Sequence, residues 1–391
     1  MKVCFITFGC RLNRAEALEE EAKYLDAGWE LTESHSEADR FVVRGCSVTA
    51  RAQRDCEKLI CHLREKYPNR SIDIQGCLKR AVVTKSARPT RPTTGKTSVP
   101  TRTARAYLKV QDGCSGKCTF CIVPTFRGQS VSIDYDNVLD KAKRFIESGY
   151  HEIVVTGCNL SLYASQGKRL PDLATALAEL GAGSDCRIRL GSVEPGSCAL
   201  ETIDAIAEHD NICRFLHLPI QSGSNRILLS MRRPYLVKDI TKVLETAIHR
   251  MPDIGLGCDL MTGFPDESEM DFLATKSLLE KSPLSNAHIF PYSERPGTLA
   301  AKFAGVIPKT ERSHRAHVLA AIIDRKRDLF ARRFLGKTVE VIIEDEKNQS
   351  GWTSEYVWFK RSSMALIANP APRKSLTRFT VTNYRNHHLV G

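Results

Sequence analysis

Among the fourteen cysteines of this 391-residue chain, three stand in one short run, Cys114-Ser-Gly-Lys-Cys118-Thr-Phe-Cys121. Three thiolates at spacings of four and three residues, on a glycine-containing loop after a strand, can wrap one corner of a cubane iron–sulfur cluster. Three ligands leave the fourth iron open to a cofactor or substrate. Zinc is the competing reading. Structural zinc usually takes four ligands from paired knuckles, and no matching second pair lies nearby. An aromatic residue, Phe120, precedes the last cysteine and completes a CxxxCxΦC pattern.

A second set of cysteines is dispersed: Cys10 in Phe-Gly-Cys-Arg-Leu-Asn, Cys46 in Val-Arg-Gly-Cys-Ser-Val-Thr, and Cys77 in Gln-Gly-Cys-Leu. Any one alone would read as a small buried hydrophobe. Each, however, follows a predicted strand and has glycine directly before it. Strand C-termini of a parallel α/β layer converge on one edge, so three such thiolates can meet at one cluster. The other cysteines (4, 56, 61, 158, 186, 198, 213, 258) are expected to be packing residues, with Cys158 and Cys258 nearest to strand ends. A disulfide framework belongs to small exported chains. This chain is large, its first ten residues read as a buried strand rather than a secretory signal, and a cytoplasmic location is expected. No apolar run approaches the ~18 residues of a membrane span.

The elements that must position these groups fall into three regions. Residues 1–84 alternate strand-like runs (3–8, 40–44, 71–75) with helical ones (15–27, 50–66), which predicts an N-terminal parallel α/β domain. Residues 85–105 form a basic linker whose prolines, Pro89, Pro92 and Pro100, argue against regular structure. In 106–334, six short apolar strands recur at 106–110, 152–156, 187–191, 215–218, 255–261 and 287–290, each followed by a helix-like stretch. With chemistry-bearing residues just after the strands, this predicts a central partial (β/α)6 barrel, closed by a long basic helix over 310–333. Residues 335–391 are rich in β-branched and aromatic side chains and predict a small antiparallel β-barrel.

The net charge is +12, and nine Lys/Arg with no Asp or Glu fall between Lys79 and Gln111. An acidic partner such as nucleic acid fits that balance. Trp352, Tyr356, Trp358, Phe359, Lys360 and Arg361 are candidates to stack on and track a single-stranded RNA loop, with alternation sending about half of the aromatics to a barrel core.

The two cysteine sets together resemble the radical S-adenosylmethionine methylthiotransferase family over nearly the whole chain. Further motifs agree: Val-Val-Thr-Gly at 154–157, Leu-Gly-Ser-Val-Glu-Pro at 190–195, His-Leu-Pro-Ile-Gln-Ser-Gly at 217–223, Gly-Phe-Pro at 263–265 and Phe-Pro-Tyr-Ser-Glu-Arg-Pro-Gly-Thr at 290–298. The resemblance implies two [4Fe–4S] clusters, one on Cys114, Cys118 and Cys121 and an auxiliary one on Cys10, Cys46 and Cys77. It also implies S-adenosylmethionine chelated at the open iron of the first, and a C-terminal domain resembling TRAM. It places His217 and Gln221 in the cofactor cleft, where Phe120, Gly157, Ser192 and Glu194 are also expected. Asp259, a carboxylate inside an apolar strand, must find polar partners and is expected in the same cleft. Arg295, in a Pro/Gly loop, can pair with a carboxylate or phosphate and is expected to face substrate with Lys360 and Arg361.

Within the family, Gly-Cys-Arg-Leu-Asn-Arg-Ala-Glu at 9–16 is most similar to the branch that methylthiolates C2 of N6-threonylcarbamoyladenosine at position 37 of the tRNA anticodon loop. Arg44-Gly45 stands where the family usually has Asn-Thr, and Asp266-Glu267-Ser268 where it usually has Gly-Glu-Thr. Alternative readings are methylthiolation of isopentenyladenosine-37, methylthiolation of an aspartate of a ribosomal protein, and a non-catalytic iron–sulfur RNA-binding protein. A low-potential electron donor is the further partner implied. Oligomeric state is open.

Overall fold

The computed structural model describes residues 1–78, 99–100, 103–362, 371–372 and 374–391. The linker positions 85–98 and 101–102 lie outside the described residues.

The first sheet is wholly parallel. Its elements are β1 (Lys2–Thr7), α1 (Arg11–Asp26), β2 (Glu30–Leu31), β3 (Arg40–Gly45), α2 (Ala50–Lys66) and β4 (Ser71–Gly76), with strand order β2-β1-β3-β4. The Val-Cys-Phe and Phe-Val-Val runs of β1 and β3 are buried on both faces, as parallel strands flanked by crossover helices require. Thr49 caps α2 by accepting the Ala52 amide at 3.2 Å.

The core follows with β5 (Ala106–Lys109), α3 (Val123–Arg127), α4 (Tyr135–Glu147), β6 (Glu152–Thr156), α5 (Leu170–Gly181), β7 (Arg187–Arg189), α6 (Ser197–Glu208), β8 (Phe215–Gln221), α7 (Asn225–Ser230), α8 (Val237–Arg250), β9 (Gly255–Thr262), α9 (Glu269–Lys281) and β10 (Asn286–Pro291). Two parallel trios, β7-β6-β5 and β8-β9-β10, are joined by the bridges Ile188↔Ile212 and Ser192↔His217. That makes a six-stranded partial barrel with β5 and β10 at its edges. One continuous apolar cluster, from Ala106 through Leu218 to Ile323, fills the space between strands and helices. Helix α10 (Lys309–Arg332) runs 24 residues, about 36 Å at 1.5 Å per residue, and packs on β10 and α9. Among the described residues no helix is long and apolar enough to cross a membrane.

The last sheet comprises β11 (Thr338–Asp345), β12 (Ser350–Thr353), β13 (Trp358–Lys360), β14 (Leu376–Thr380), β15 (Asn383–Arg385) and β16 (His388–Val390), in order β14-β11-β12-β13-β16-β15. It departs from the expected antiparallel barrel in two respects. Strand β13 pairs in parallel with β16, Phe359 opposite Leu389, so the sheet is mixed and mostly antiparallel. Among the described residues its end strands β14 and β15 do not pair.

Buried ions seat this sheet on the core. Glu152, fully buried, takes Arg187 Nε at 2.7 Å and Arg189 Nε at 2.8 Å. The same guanidinium groups donate to the carbonyls of Glu340, Trp352, Thr353 and Ser354. Arg105, the last residue of the expected basic linker, belongs to this assembly. It is buried and pairs with Glu344 at 2.6 Å.

Candidate cluster and cofactor site

The three dispersed cysteines leave their sheet on one edge. Cys46 and Cys77 follow β3 and β4 directly, and Cys10 is the N-cap of α1. The last residues of those strands, Gly45 and Gly76, are register partners. Burial pushes the Cys46 thiol up to about 11, with Cys77 and Cys10 adding to the shift as neighbours. The preceding glycines are steric necessities at two points. Gly9 has φ +91°, and a Cβ there would stand 2.7 Å from that of Cys46; a Cβ at Gly45 would meet Leu78 at 2.7 Å. The second contact accounts for the Arg44-Gly45 departure together with Arg44, which turns inward to Glu16 at 2.8 Å and Gln75 at 2.6 Å.

Helix α1 locks this edge to the core. Cys10, Asn13 and Glu16 recur every three residues along one side of the helix. Asn13 Nδ2 donates to the carbonyls of Phe8 (2.8 Å) and Gly45 (3.3 Å), while its Oδ1 accepts from Arg127 (2.9 Å). Glu16 accepts from Arg127 (2.8 Å), Arg44 (2.8 Å) and Lys109 (3.0 Å). Burial alone would raise the Glu16 carboxyl, but Arg127, Lys109 and Arg44 hold it well below the usual carboxylate range. Arg127 also bonds Asp112 at 3.0 Å, and its charge lies near the Cys77 thiol, which burial pushes up and Arg127 draws down.

The CxxxCxΦC loop hangs between β5 and α3. Cys114 N–H donates to the Gly128 carbonyl (3.0 Å), Gly116 N–H to Cys114 Sγ (3.3 Å) and Thr119 N–H to the Met231 carbonyl (3.1 Å). Arg233, three residues past the end of α7, reaches Cys118 Sγ at 3.0 Å with one nitrogen and Glu194 at 2.7 Å with the other. Burial pushes Cys121 up to about 11, and Cys118 and Cys114 raise it further. Each cysteine set therefore has one buried arginine beside it, Arg233 donating to Cys118 and Arg127 lying near Cys77.

These sets fit cubane clusters better than single ions. A Zn–S bond of about 2.3 Å puts tetrahedral sulfurs about 3.8 Å apart. Among the described residues, the one group of three metal-ligating side chains whose donor atoms all lie within 4.8 Å is His217, Asp259 and His288, and neither cysteine set is drawn that close. A bound nucleoside cofactor also fits. Gln221, at the end of β8, is buried with φ +70°, and its Oε1 has no partner. A strained residue with an orphaned acceptor is a ligand-facing feature. Ser47 Oγ, beside Cys46, is likewise buried and unpartnered.

The remaining expected residues separate. Glu194 and Phe120 belong to the loop's surroundings, Phe120 edge-on to Phe264. Gly157 is a packing position, where a Cβ would stand 2.8 Å from Gln111 Oε1. Ser192 is exposed and bridges His217 through backbone alone. His217 and Asp259 bond each other at 3.1 Å, and Asp259 also bonds His288 at 3.2 Å. Burial would raise Asp259, but hydrogen bonds from His217 and His288 hold it well below its ordinary value. Arg295 crosses to α2, donating to Gln53 at 2.8 Å, with its Nε buried and unpartnered. Lys360 and Arg361 are exposed. Of the tail aromatics, Phe359 is core, and Tyr356 is stacked between Trp352 (4.3 Å) and Phe215 (4.6 Å).

Arg127, Arg233 and His288 were not foreseen. A lone arginine or histidine has solvent as its default, and only the fold brings the partners.

A parallel partial barrel with a three-cysteine loop after its first strand defines the radical S-adenosylmethionine class, and residues 108–279 match the radical SAM superfamily. Residues 2–90 match the uncharacterized protein family UPF0004. The chain is 30% identical to the threonylcarbamoyladenosine tRNA methylthiotransferase MtaB of Aquifex aeolicus, over 92% of this chain and 97% of that protein. It is 29% identical to a tRNA-2-methylthio-N(6)-dimethylallyladenosine synthase of Thermus thermophilus, over 100% of this chain and 91% of that protein. The structure of the radical S-adenosylmethionine methyltransferase TsrM from Kitasatospora setae superposes with a TM-score of 0.55 at 11% identity, covering 77% of each chain, a likeness of fold alone. The chain belongs to the radical S-adenosylmethionine methylthiotransferase family. It is an enzyme whose cofactors are two [4Fe–4S] clusters and S-adenosylmethionine.

Proposed function

We propose that this enzyme methylthiolates C2 of N6-threonylcarbamoyladenosine at position 37 in the anticodon loop of tRNA. The observation that carries the reading is the 9–16 segment with its inward Asn13 and Glu16, in a chain 30% identical to MtaB of Aquifex aeolicus along nearly all of both proteins. The adenine C2–H is not acidic, so base catalysis cannot open it. When bound, the clusters and S-adenosylmethionine supply the radical, the sulfur and the methyl group.

The chain's own residues bind and orient. Cys114, Cys118 and Cys121 hold one cluster, with Arg233 donating to Cys118. Cys10, Cys46 and Cys77 hold the other, with the Arg127 charge beside Cys77. Glu194 and Gln221 present acceptors to the cofactor's hydroxyl and amino groups. Arg295, where the core meets α2, faces the incoming nucleotide, and Lys360 and Arg361 track phosphates. A loop base leaves its stack at low cost, which suits a reaction between two cluster sites. The domains are taken as 1–84, 106–334 and 335–391, in a cytoplasmic protein served by a low-potential electron donor.

A second reading, dimethylallyladenosine as substrate, is favoured by the Thermus relative that spans the whole chain. Mass spectrometry of nucleosides from tRNA of a deletion strain separates them. Loss of 2-methylthio-N6-threonylcarbamoyladenosine, restored by the gene, is expected. Loss of the dimethylallyl product instead supports the second reading. Unchanged tRNA with loss of methylthioaspartate on a ribosomal protein overturns both.

A further inference from the structure

We propose that His217, Asp259 and His288 form a binding site for one divalent first-row transition-metal ion, separate from both cysteine sets. The three residues come from adjacent parallel strands, β8, β9 and β10. Asp259 is the register partner of His288, and His217 sits opposite Gly257, two residues from Asp259 on the same strand face. Gly257 makes the approach feasible. A Cβ there would stand 2.9 Å from His217 Nδ1, so any other residue would push the imidazole off the strand.

His217 Nε2 lies 3.1 Å and His288 Nδ1 3.2 Å from the same oxygen, Asp259 Oδ1. A carboxylate oxygen accepts two hydrogen bonds readily, so it is the separations, not the convergence, that suit an ion. Bonds of about 2.0–2.2 Å to nitrogen and oxygen place neighbouring ligand atoms about 3.0–3.4 Å apart. All three donor atoms lie within 4.8 Å of one another.

Two imidazoles and one carboxylate suit Fe, Co, Ni or Zn better than Mg or Ca, and leave positions open. The site grades outward from His217, which is buried, to His288, whose side chain is 64% exposed, so those positions are reachable from solvent. Phe215, centred 6.4 Å from the His217 ring, closes the inner side with apolar surface, the kind of shell that limits water around a bound ion.

The test uses the anaerobically reconstituted full-length enzyme, dialysed against Co2+, with cobalt and iron counted by elemental mass spectrometry. Ligation is read at the cobalt K-edge. About one cobalt per chain is expected, with imidazole nitrogen and carboxylate oxygen neighbours and no sulfur. His288→Ala and Asp259→Asn should weaken cobalt binding by roughly 100-fold or more, since loss of even an outer-shell partner costs about 10–100-fold, with the iron count unchanged. His288→Gln, at an exposed position on an edge strand, repeats the test where folding is not at stake. No retained cobalt, sulfur ligation, or wild-type affinity in the His288 and Asp259 variants would overturn the site.

Discussion

Replacing Glu16 by Gln removes the negative charge on which Arg127, Arg44 and Lys109 converge. The glutamate side chain is 11% exposed, and its partners are 3%, 10% and 15% exposed. Removing one partner from a buried ion pair costs about 3–5 kcal/mol, because the surviving charge stays buried without compensation. Asp112 still faces Arg127 and Lys109, and the glutamine oxygen still accepts one bond. The lower end, about 3 kcal/mol, is therefore expected. The damage should be local, since the network joins α1 to β5 and α3.

Hydrogen exchange read by mass spectrometry on peptides covering 11–26 and 123–127 measures it directly. About 3 kcal/mol corresponds to roughly a 100-fold loss of protection. Glu20→Gln is the control, because its pair with Lys23 is solvent-exposed and worth about 0.3–0.5 kcal/mol. The carboxyl is held below its ordinary value in the folded chain. Its contribution is thus complete above the unfolded pKa of about 4.3 and drains away as pH falls below that. The gap between wild type and Glu16→Gln should be flat from about pH 6 to 8 and should close in acid. Protection in Glu16→Gln within about threefold of wild type at pH 7 would refute the reasoning, as would a gap that widened in acid.

Three further outcomes are expected. Full reconstitution should give about eight irons per chain; alanine at Cys114, Cys118 and Cys121 should leave about four, and alanine at Cys10, Cys46 and Cys77 about four with cleavage of S-adenosylmethionine retained, as read by iron analysis and 5′-deoxyadenosine release. Glu152→Gln leaves Arg187 and Arg189 buried without their anion; at a cost of about 3–5 kcal/mol, limited proteolysis should cut between α10 and β11 faster than in wild type. Lys360→Ala with Arg361→Ala should reduce the slope of log tRNA affinity against log salt by about 1.4, two single-strand phosphate contacts at about 0.7 each, whereas an unchanged slope would remove these two residues from the RNA-facing surface.

The chemistry of the Cys114–Cys121 loop is local, so the sequence by itself determined it. Three thiolates within eight residues of one loop stay together whatever the rest of the chain does. The dispersed set was legible for a related reason: each Gly-Cys step follows an apolar strand, and parallel strands bring their C-termini to one edge. Strand and helix positions were legible too, because period and length are properties of short windows, and α2 and β6 run where the pattern placed them.

What tertiary structure decided depends on partners far apart in the chain. Arg127 meets Glu16 from 111 residues away, and Arg233 meets Cys118 from 115. Arg105 carries the same charge as its basic neighbours in sequence, yet it is buried against Glu344. The parallel pairing of β13 with β16 is likewise invisible locally, because alternation reveals which face of a strand is buried but not the direction of the strand beside it. Nor does anything near His288 in sequence announce Asp259 and His217. Side-chain type and spacing state what a residue can do, and only the packed chain places charges and ligands from distant segments within bonding reach.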